Sequence, residues 1–110
     1  MTRPEPFYFN PLADGLEVFL GPTEARLMEL AWEHDELTVK RALFFLGDES
    51  KRAYTTVMTV MNRLYRKGLL SRRKEGRSFT YAAAVSRDQF LRERTGMVMR
   101  CMKEHFGDYC

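Results

Sequence analysis

A mainly helical domain carrying one small β-hairpin is the fold class this sequence predicts, and three observations predict it. Apolar residues recur at helical spacing in four segments; two short β-prone runs flank a glycine-containing turn after the third of them; and 110 residues suffice for a single apolar core. With 45% hydrophobic and 30% charged residues the chain has a globular balance, not that of a disordered or collagen-like one. No apolar run approaches the roughly 18 to 20 residues of a membrane span, and no basic-then-apolar leader opens the sequence, so neither a membrane nor export is expected. Cys101 and Cys110 are too few for a disulfide scaffold and form no Cys-x-x-Cys pair, which suits a reduced, cytoplasmic chain.

Residues 1–20 form an arm interrupted by Pro4, Pro6 and Pro11 yet carrying Phe7, Phe9, Leu16, Phe19 and Leu20. So apolar an arm is expected to lie on a surface, either of its own domain or of a second subunit. Thr23 then precedes an acid-rich turn, and Ala25, Leu27, Met28, Ala31 and Trp32 recur over 24–34 with Glu24, Glu29 and Glu33 outward, a first helix. Residues 37–46 read as a short extended start and a second helix with Val39, Ala42, Leu43, Phe45 and Leu46, stopped by Gly47. Residues 48–52 read as a polar loop.

Over 54–67 the density of β-branched residues would suit a strand, but apolar and polar positions do not alternate and 14 residues pass without a breaker. At 100° per residue Val57, Val60, Met61 and Leu64 fall on one stripe, while Thr55, Thr59, Asn62 and Arg66 gather opposite, flanked by Thr56 and Arg63. This is the third helix, with Gly68 as a left-handed stop. Residues 69–73 and 78–82 are strand-like around a four-residue turn, Lys74-Glu75-Gly76-Arg77. Ser86 opens a capping box with Gln89, and a fourth helix runs from Arg87 to about Phe106 with Phe90, Leu91, Met97, Val98, Cys101, Met102 and His105 available to an apolar side, ended by Gly107.

Three helices followed by a hairpin are the order of a winged helix-turn-helix, here with a C-terminal dimerisation helix. The domains expected are an arm at 1–20, a winged helix at 21–84 and a dimerisation element at 85–110. Charge is distributed to match. Residues 1–50 hold 4 Lys/Arg against 10 Asp/Glu, residues 51–77 hold 9 against 1, and residues 78–110 hold 5 against 4. Basic charge concentrated in one segment is the footprint of a polyanionic partner. The major groove of B-DNA admits one helix, which must keep one flank in the core and offer the other to bases and phosphates. Thr55, Thr56 and Thr59 can contact thymine methyls or phosphates, Asn62 can pair with adenine, and Arg63 and Arg66 can reach guanine or the backbone; Tyr54 is placed near phosphate. Arg72, Arg73, Lys74 and Arg77 supply the wing's charge.

These residues carry a resemblance. Ala53-Tyr54-Thr55-Thr56-Val57-Met58-Thr59-Val60-Met61-Asn62-Arg63-Leu64, then Lys67-Gly68-Leu69-Leu70, Lys74-Glu75-Gly76-Arg77 and Phe79-Thr80-Tyr81, together with Leu20-Gly21-Pro22-Thr23-Glu24, resemble the BlaI/MecI/CopY family of bacterial repressors over residues 20–84. The resemblance implies a homodimeric repressor on a dyad-symmetric double-stranded operator, released in the best-known members when a membrane sensor triggers proteolysis. It also implies base-reading positions at Thr55, Thr56 and Thr59 and a wing position at Arg77. In the family several helices after the wing make the dimer, whereas one is expected here. Phe90, Met97, Val98, Cys101 and Met102 are therefore assigned to pairing with a symmetry mate, with Phe7, Phe9, Leu16 and Phe19 of the arm covering surface that further helices would cover. The copper-responsive branch carries a cysteine-rich C-terminal motif that two cysteines do not reproduce.

Other classes were weighed against this one. Cys101 and His105 share a helical face and, with His34 or Cys110, could start a metal site of a sensing regulator, but zinc needs three or four ligands and free cysteine is ordinarily a small hydrophobe; no metal or cofactor is assigned. Met97, Met99 and Met102 read as packing. Trp32 and Phe79 are assigned to the core in preference to stacking on unpaired bases. Glu24, Glu29 and Glu33 accompany no nucleophile, phosphate loop or paired carboxylate, so an enzyme is not expected. A winged helix used as a protein-interaction module is the remaining rival, and the basic third helix counts against it.

Overall fold

The computed structural model describes residues 8–48 and 50–109. In chain order they form a 3-10 turn Gly15–Val18, helices α1 (Pro22–Glu33), α2 (Val39–Leu46) and α3 (Lys51–Arg66), strands β1 (Leu70–Glu75) and β2 (Ser78–Ala83), helix α4 (Arg87–Phe106) and a 3-10 turn Gly107–Tyr109. This is the mainly helical winged fold that the spacing predicts. Phe7 and Cys110, named in the readings of the arm and of a metal site, lie outside the described residues.

Local chemistry sets each boundary. α1 starts at Pro22, ahead of the expected Thr23 cap, with Gly21 as its N-cap and proline at a position whose N–H would be unpaired anyway. The Thr38 hydroxyl accepts the Arg41 N–H to open α2, and Gly47 closes it in the left-handed region at φ 78°. The loop expected at 48–52 is shorter than its composition suggests. Asp48 Oδ1 accepts the Ser50 N–H and Ser50 Oγ accepts the Ala53 N–H, both at 3.1 Å, so α3 begins at Lys51 and takes Lys51 and Arg52 into its first turn. At its other end Gly68, φ 79°, lets the Leu69 N–H turn back to the Leu64 carbonyl at 3.0 Å.

The hairpin pairs Leu70 with Ala83 through to Glu75 with Ser78, leaving only Gly76 and Arg77 at the tip. The turn is thus two residues, not four, because Gly76 adopts φ 61° and so permits the tight reversal. The free edge of β2 is met by Leu37, which exchanges both backbone hydrogen bonds with Tyr81 at 2.8 and 2.9 Å.

One core joins these elements as far as the start of α4. The α3 stripe Val57, Val60, Met61 and Leu64 is buried with Leu20, Leu27, Met28, Leu37, Leu43, Leu70 and Phe90. Glu24 corrects the expectation of an outward acidic face: it is 7% exposed, accepts the Gly21 N–H on Oε1 and is ion-paired through Oε2 to Lys67 Nζ at 3.0 Å. The pair ties the start of α1 to the end of α3, and with both oxygens engaged the carboxylate is satisfied where it is buried. Glu29 and Glu33 do face outward.

The described part of the arm, residues 8–20, lies on its own domain. Leu16 and Leu20 are buried, Phe9 stacks on Phe19 at 6.0 Å, and Phe19 meets the edge of Phe90 at 6.3 Å. Trp32 packs on the other side of Phe90 and donates Nε1–H to the Val85 carbonyl at 2.9 Å. Ser86 caps α4 through the Gln89 N–H, but the Gln89 side chain turns to Glu93 instead of completing the capping box. Phe90, 1% exposed, belongs to this core and is not available to a symmetry mate, a correction to its assignment as a dimer residue. Beyond it α4 runs on from the core, and Met97, Met99, Met102 and Phe106 are uncovered. Phe90→Ala is expected to cost about 3 to 5 kcal/mol, loosening the arm and α4 together. Urea unfolding reads this as a lowered midpoint at unchanged slope; a loss under about 1 kcal/mol would show that the arm and α4 are not packed through this ring.

Candidate nucleic-acid interface

α3 divides cleanly between a dry side and a wet one. Thr55, Thr56, Thr59, Arg63 and Arg66 are exposed and Asn62 is half-buried, opposite the buried stripe. Tyr54, at 38% exposure, and Met58 flank them. The Thr56 and Thr59 hydroxyls and the Arg63 and Arg66 guanidiniums make no hydrogen bond or ion pair within the described residues, whereas the Thr55 hydroxyl donates to the Lys51 carbonyl one turn back at 3.1 Å. Thr55 therefore offers mainly its methyl. Lys51 and Arg52, left in a loop by the periodicity, are exposed at the start of the same helix. Cations there oppose the helix dipole, and that mismatch is the signal that could have singled them out.

The wing stands beside α3, and strand alternation gives it two faces. Leu70, Arg72 and Lys74 share a face with their partners Ala83, Tyr81 and Phe79; Ser71, Arg73 and Glu75 lie on the other with Ala82, Thr80 and Ser78. Thr59, Asn62, Arg63 and Arg66 of α3 and Arg72 and Phe79 of the wing line a groove of about 460 Å³ between the two elements. Phe79 is 37% exposed in that groove, correcting its assignment to the core: Tyr81, two residues on, takes the buried place, and Phe79 lies beyond it toward the tip. Trp32 does pack within the protein.

Two of the expected wing cations are occupied inside the protein. The Arg72 guanidinium is sandwiched between the rings of Tyr65 and Phe79, 4.1 and 4.2 Å from their centroids, and its Nη1 donates to Asn62 Oδ1 at 2.9 Å. Arg73 donates Nη1–H to Glu36 and both Nε–H and Nη2–H to Glu75 Oε1, at 3.0 and 2.6 Å, fastening the wing to the segment between α1 and α2. The hydrogen bonds to Glu36 and then Glu75 raise the Arg73 pKa further, and those from Arg73, its charge and the Thr80 hydroxyl hold Glu75 below the usual carboxylate range. Lys74 and Arg77 are exposed with no partner within the described residues. Sequence reasoning counts all four wing cations alike; Tyr65, Phe79 and Glu36 are what distinguish them.

The metal reading gains nothing from the geometry. His34 stacks on Phe45 at 4.4 Å, Cys101 is exposed, and no group of three or more His, Cys, Asp or Glu among the described residues could hold an ion. No helix among the described residues is long and apolar enough to cross a membrane.

Comparison with known proteins places this geometry. Residues 20–108 match the family model described as penicillinase repressor. The penicillinase repressor of Bacillus licheniformis is 26% identical over 72 residues, covering 66% of this chain and 56% of that one, and the transcriptional regulator BlaI of Mycobacterium tuberculosis is 36% identical over 73 residues, covering 66% and 53%. The chain spans about half the length of these curated relatives. Among solved structures, that of the DNA-binding domain of the repressor BlaI is similar at a TM-score of 0.54 and 27% identity, covering 64% of this chain and 85% of that one. Reduced HlyU from Vibrio cholerae, at 16% identity and a TM-score of 0.51 over 78% of each chain, shares the fold.

The Glu75 carboxyl is expected to titrate below the ordinary glutamate midpoint of about 4.3, and to rise toward it in Arg73→Gln, as read by carbon NMR. Because the folded-state pKa is the depressed one, the Arg73–Glu75 pair is intact above about pH 4.3 and is lost as the pH falls through the folded value. Both partners are exposed, so salt should weaken the effect. An ordinary Glu75 midpoint in the unaltered protein would remove the Arg73–Glu75 pair.

Proposed function

The chain belongs to the penicillinase repressor family, and from that premise we propose that it is a transcriptional repressor that binds a dyad-symmetric double-stranded DNA operator as a homodimer. One observation carries the reading: the face of α3 opposite its buried stripe presents Thr56, Thr59, Arg63 and Arg66 without internal partners, beside a wing with Lys74 and Arg77 equally uncommitted. A protein-docking face of this size would ordinarily be depleted of lysine and enriched in buried aromatics at its centre. A groove-reading helix needs hydroxyls and guanidiniums that are not already paired.

In this reading α3 enters the major groove, Thr56, Thr59, Asn62 and Arg63 face base edges, and Thr55 offers its methyl to a thymine. Tyr54, Arg66, Lys51 and Arg52 lie toward phosphate, and Lys74 and Arg77 reach the flanking backbone or minor groove. Arg72 and Arg73 hold the wing in place and contribute little direct contact. The second copy is supported by α4. Its 20 residues span about 30 Å, and Met97, Val98, Cys101 and Met102 lie along the part that leaves the core, with Met97 38% and Met102 47% exposed. Pairing of two such helices would bury these side chains and set two α3 helices against half-sites about one helical turn apart.

Binding to duplex DNA is expected to fall about 10³- to 10⁵-fold between 50 and 200 mM salt if the dimer neutralises 6 to 10 phosphates. Arg77→Ala should weaken all sequences alike and reduce the salt slope by about one, whereas Thr59→Ala or Arg63→Ala should relax discrimination at particular base pairs by about 1 to 3 kcal/mol. A flat salt response in filter binding or anisotropy would return the protein-module reading to first place. Sedimentation should find a dimer that Met97→Glu shifts to monomer with weakened operator binding; a monomeric unaltered protein would remove the dyad.

A further inference from the structure

Arg72 does more than brace the wing, because it settles which way Asn62 faces. A guanidinium has donors only, so the amide next to Arg72 Nη1 must present its oxygen there and turn its NH2 away. Asn62 Nδ2 donates to nothing within the described residues. No buried side-chain nitrogen or oxygen among them lacks a partner, so Nδ2 is open to solvent, and Asn62 lines the groove beside Thr59 and Arg63. The oxygen is not free to swing out. It is held by a guanidinium that is itself fixed between the Tyr65 and Phe79 rings.

An unconstrained asparagine selects adenine by a bidentate pair, donating to N7 while its oxygen accepts from N6. Arg72 takes one of the oxygen's two lone pairs and holds the oxygen on its own side, so the NH2 is the half left to lead toward a base. We propose that Arg72 is a positioning residue that makes Asn62 a donor-only reader: it accepts a base offering a major-groove acceptor (purine N7, guanine O6 or thymine O4) and rejects cytosine, whose exposed group there is an amino donor. This rests on the reading of the chain as a DNA-binding repressor and deepens it, since one of the bases the operator tolerates would be set by a residue that does not touch it.

The test is selection from duplexes randomised across the half-site, followed by sequencing, with the unaltered protein, Asn62→Ala and Arg72→Met. The unaltered protein should select against cytosine at one position while tolerating adenine and guanine comparably, and Asn62→Ala should relax that position alone. Methionine can still fill the space between two rings but donates nothing. Arg72→Met should therefore free the amide and make adenine preferred over guanine at the same position, by about 5- to 150-fold if the full bidentate pair forms. A purely structural role for Arg72 would lower affinity for every sequence and leave that preference unmoved. If the unaltered protein enriches no sequence, the DNA reading itself fails. If it enriches an operator but Asn62→Ala alters no position, or Arg72→Met leaves adenine no better placed, the DNA reading stands and this inference falls. Should Arg72→Met not fold, Phe79→Leu removes one of the two rings without touching charge and should shift the same position toward adenine; no shift there overturns the proposal equally.

Discussion

A helix that leaves one side open to solvent has to be held chiefly from the other. α3 is anchored by four buried side chains, Val57, Val60, Met61 and Leu64, and among the described residues no element covers its opposite flank. What fixes its position acts mainly through that stripe and at its two ends, with Arg72 of the wing adding a hold at Asn62 and Tyr65. The ends are fixed by different means: at the start an Asp48–Ser50–Ala53 relay of hydrogen bonds, and at the finish the turn at Gly68 and the buried Lys67–Glu24 pair. A buried pair of this kind contributes little net stability compared with apolar packing, but losing one partner would strand a charge in the interior. It therefore penalises any arrangement in which α3 slides or rotates relative to α1.

The same constraint explains why the basic segment cannot be read as a simple sum of charge. Lys67 is buried against Glu24, Arg72 is held between two rings, and Arg73 is shared by two carboxylates. What remains unpaired within the described residues is Lys51, Arg52, Arg63, Arg66, Lys74 and Arg77, distributed along α3 and at the tip of the wing. The three cations that stabilise the scaffold thus follow one another between two groups that face outward, and the wing is stiffened by the very residue type that would otherwise be counted toward phosphate. A wing fastened on one face by Arg73 and on the other by Arg72 has little freedom to move relative to α3.

Much of the fold was legible because its signals are local. Helical spacing at 24–34 and 54–67, glycine stops at Gly47 and Gly68, and β-prone runs around Gly76 depend on neighbours within a few residues, and the structure has all of them. What was not legible depends on partners far along the chain. Glu24 reads as solvated until Lys67, 43 residues away, is brought beside it. Phe79 reads as core because nothing in its own strand tells that Tyr81 takes the last buried place. Arg72 and Arg73 are adjacent and chemically identical, yet strand alternation sends one to Tyr65, Phe79 and Asn62 and the other to Glu36 and Glu75. The start of α3 was missed for a smaller reason: apolar periodicity begins only at Val57, while the cap that begins the helix is polar.

The arm and α4 are best understood together. Phe90 is the one buried side chain of α4, and it is gripped from two sides, by Phe19 of the arm and by Trp32 of α1. That grip fixes the direction in which α4 leaves the core, and it does so at the helix's first turn, where a small change of angle would be magnified along the roughly 24 Å that follow. A helix left to project without such a root would present Met97 and Met102 at no defined place. With the root packed, their position is set relative to α3, through the shared core, before any second copy arrives. In the proposed dimer the arm would therefore not need to touch the symmetry mate to influence the separation of the two α3 helices, because through Phe90 it bears on the angle at which each copy offers its exposed apolar side chains.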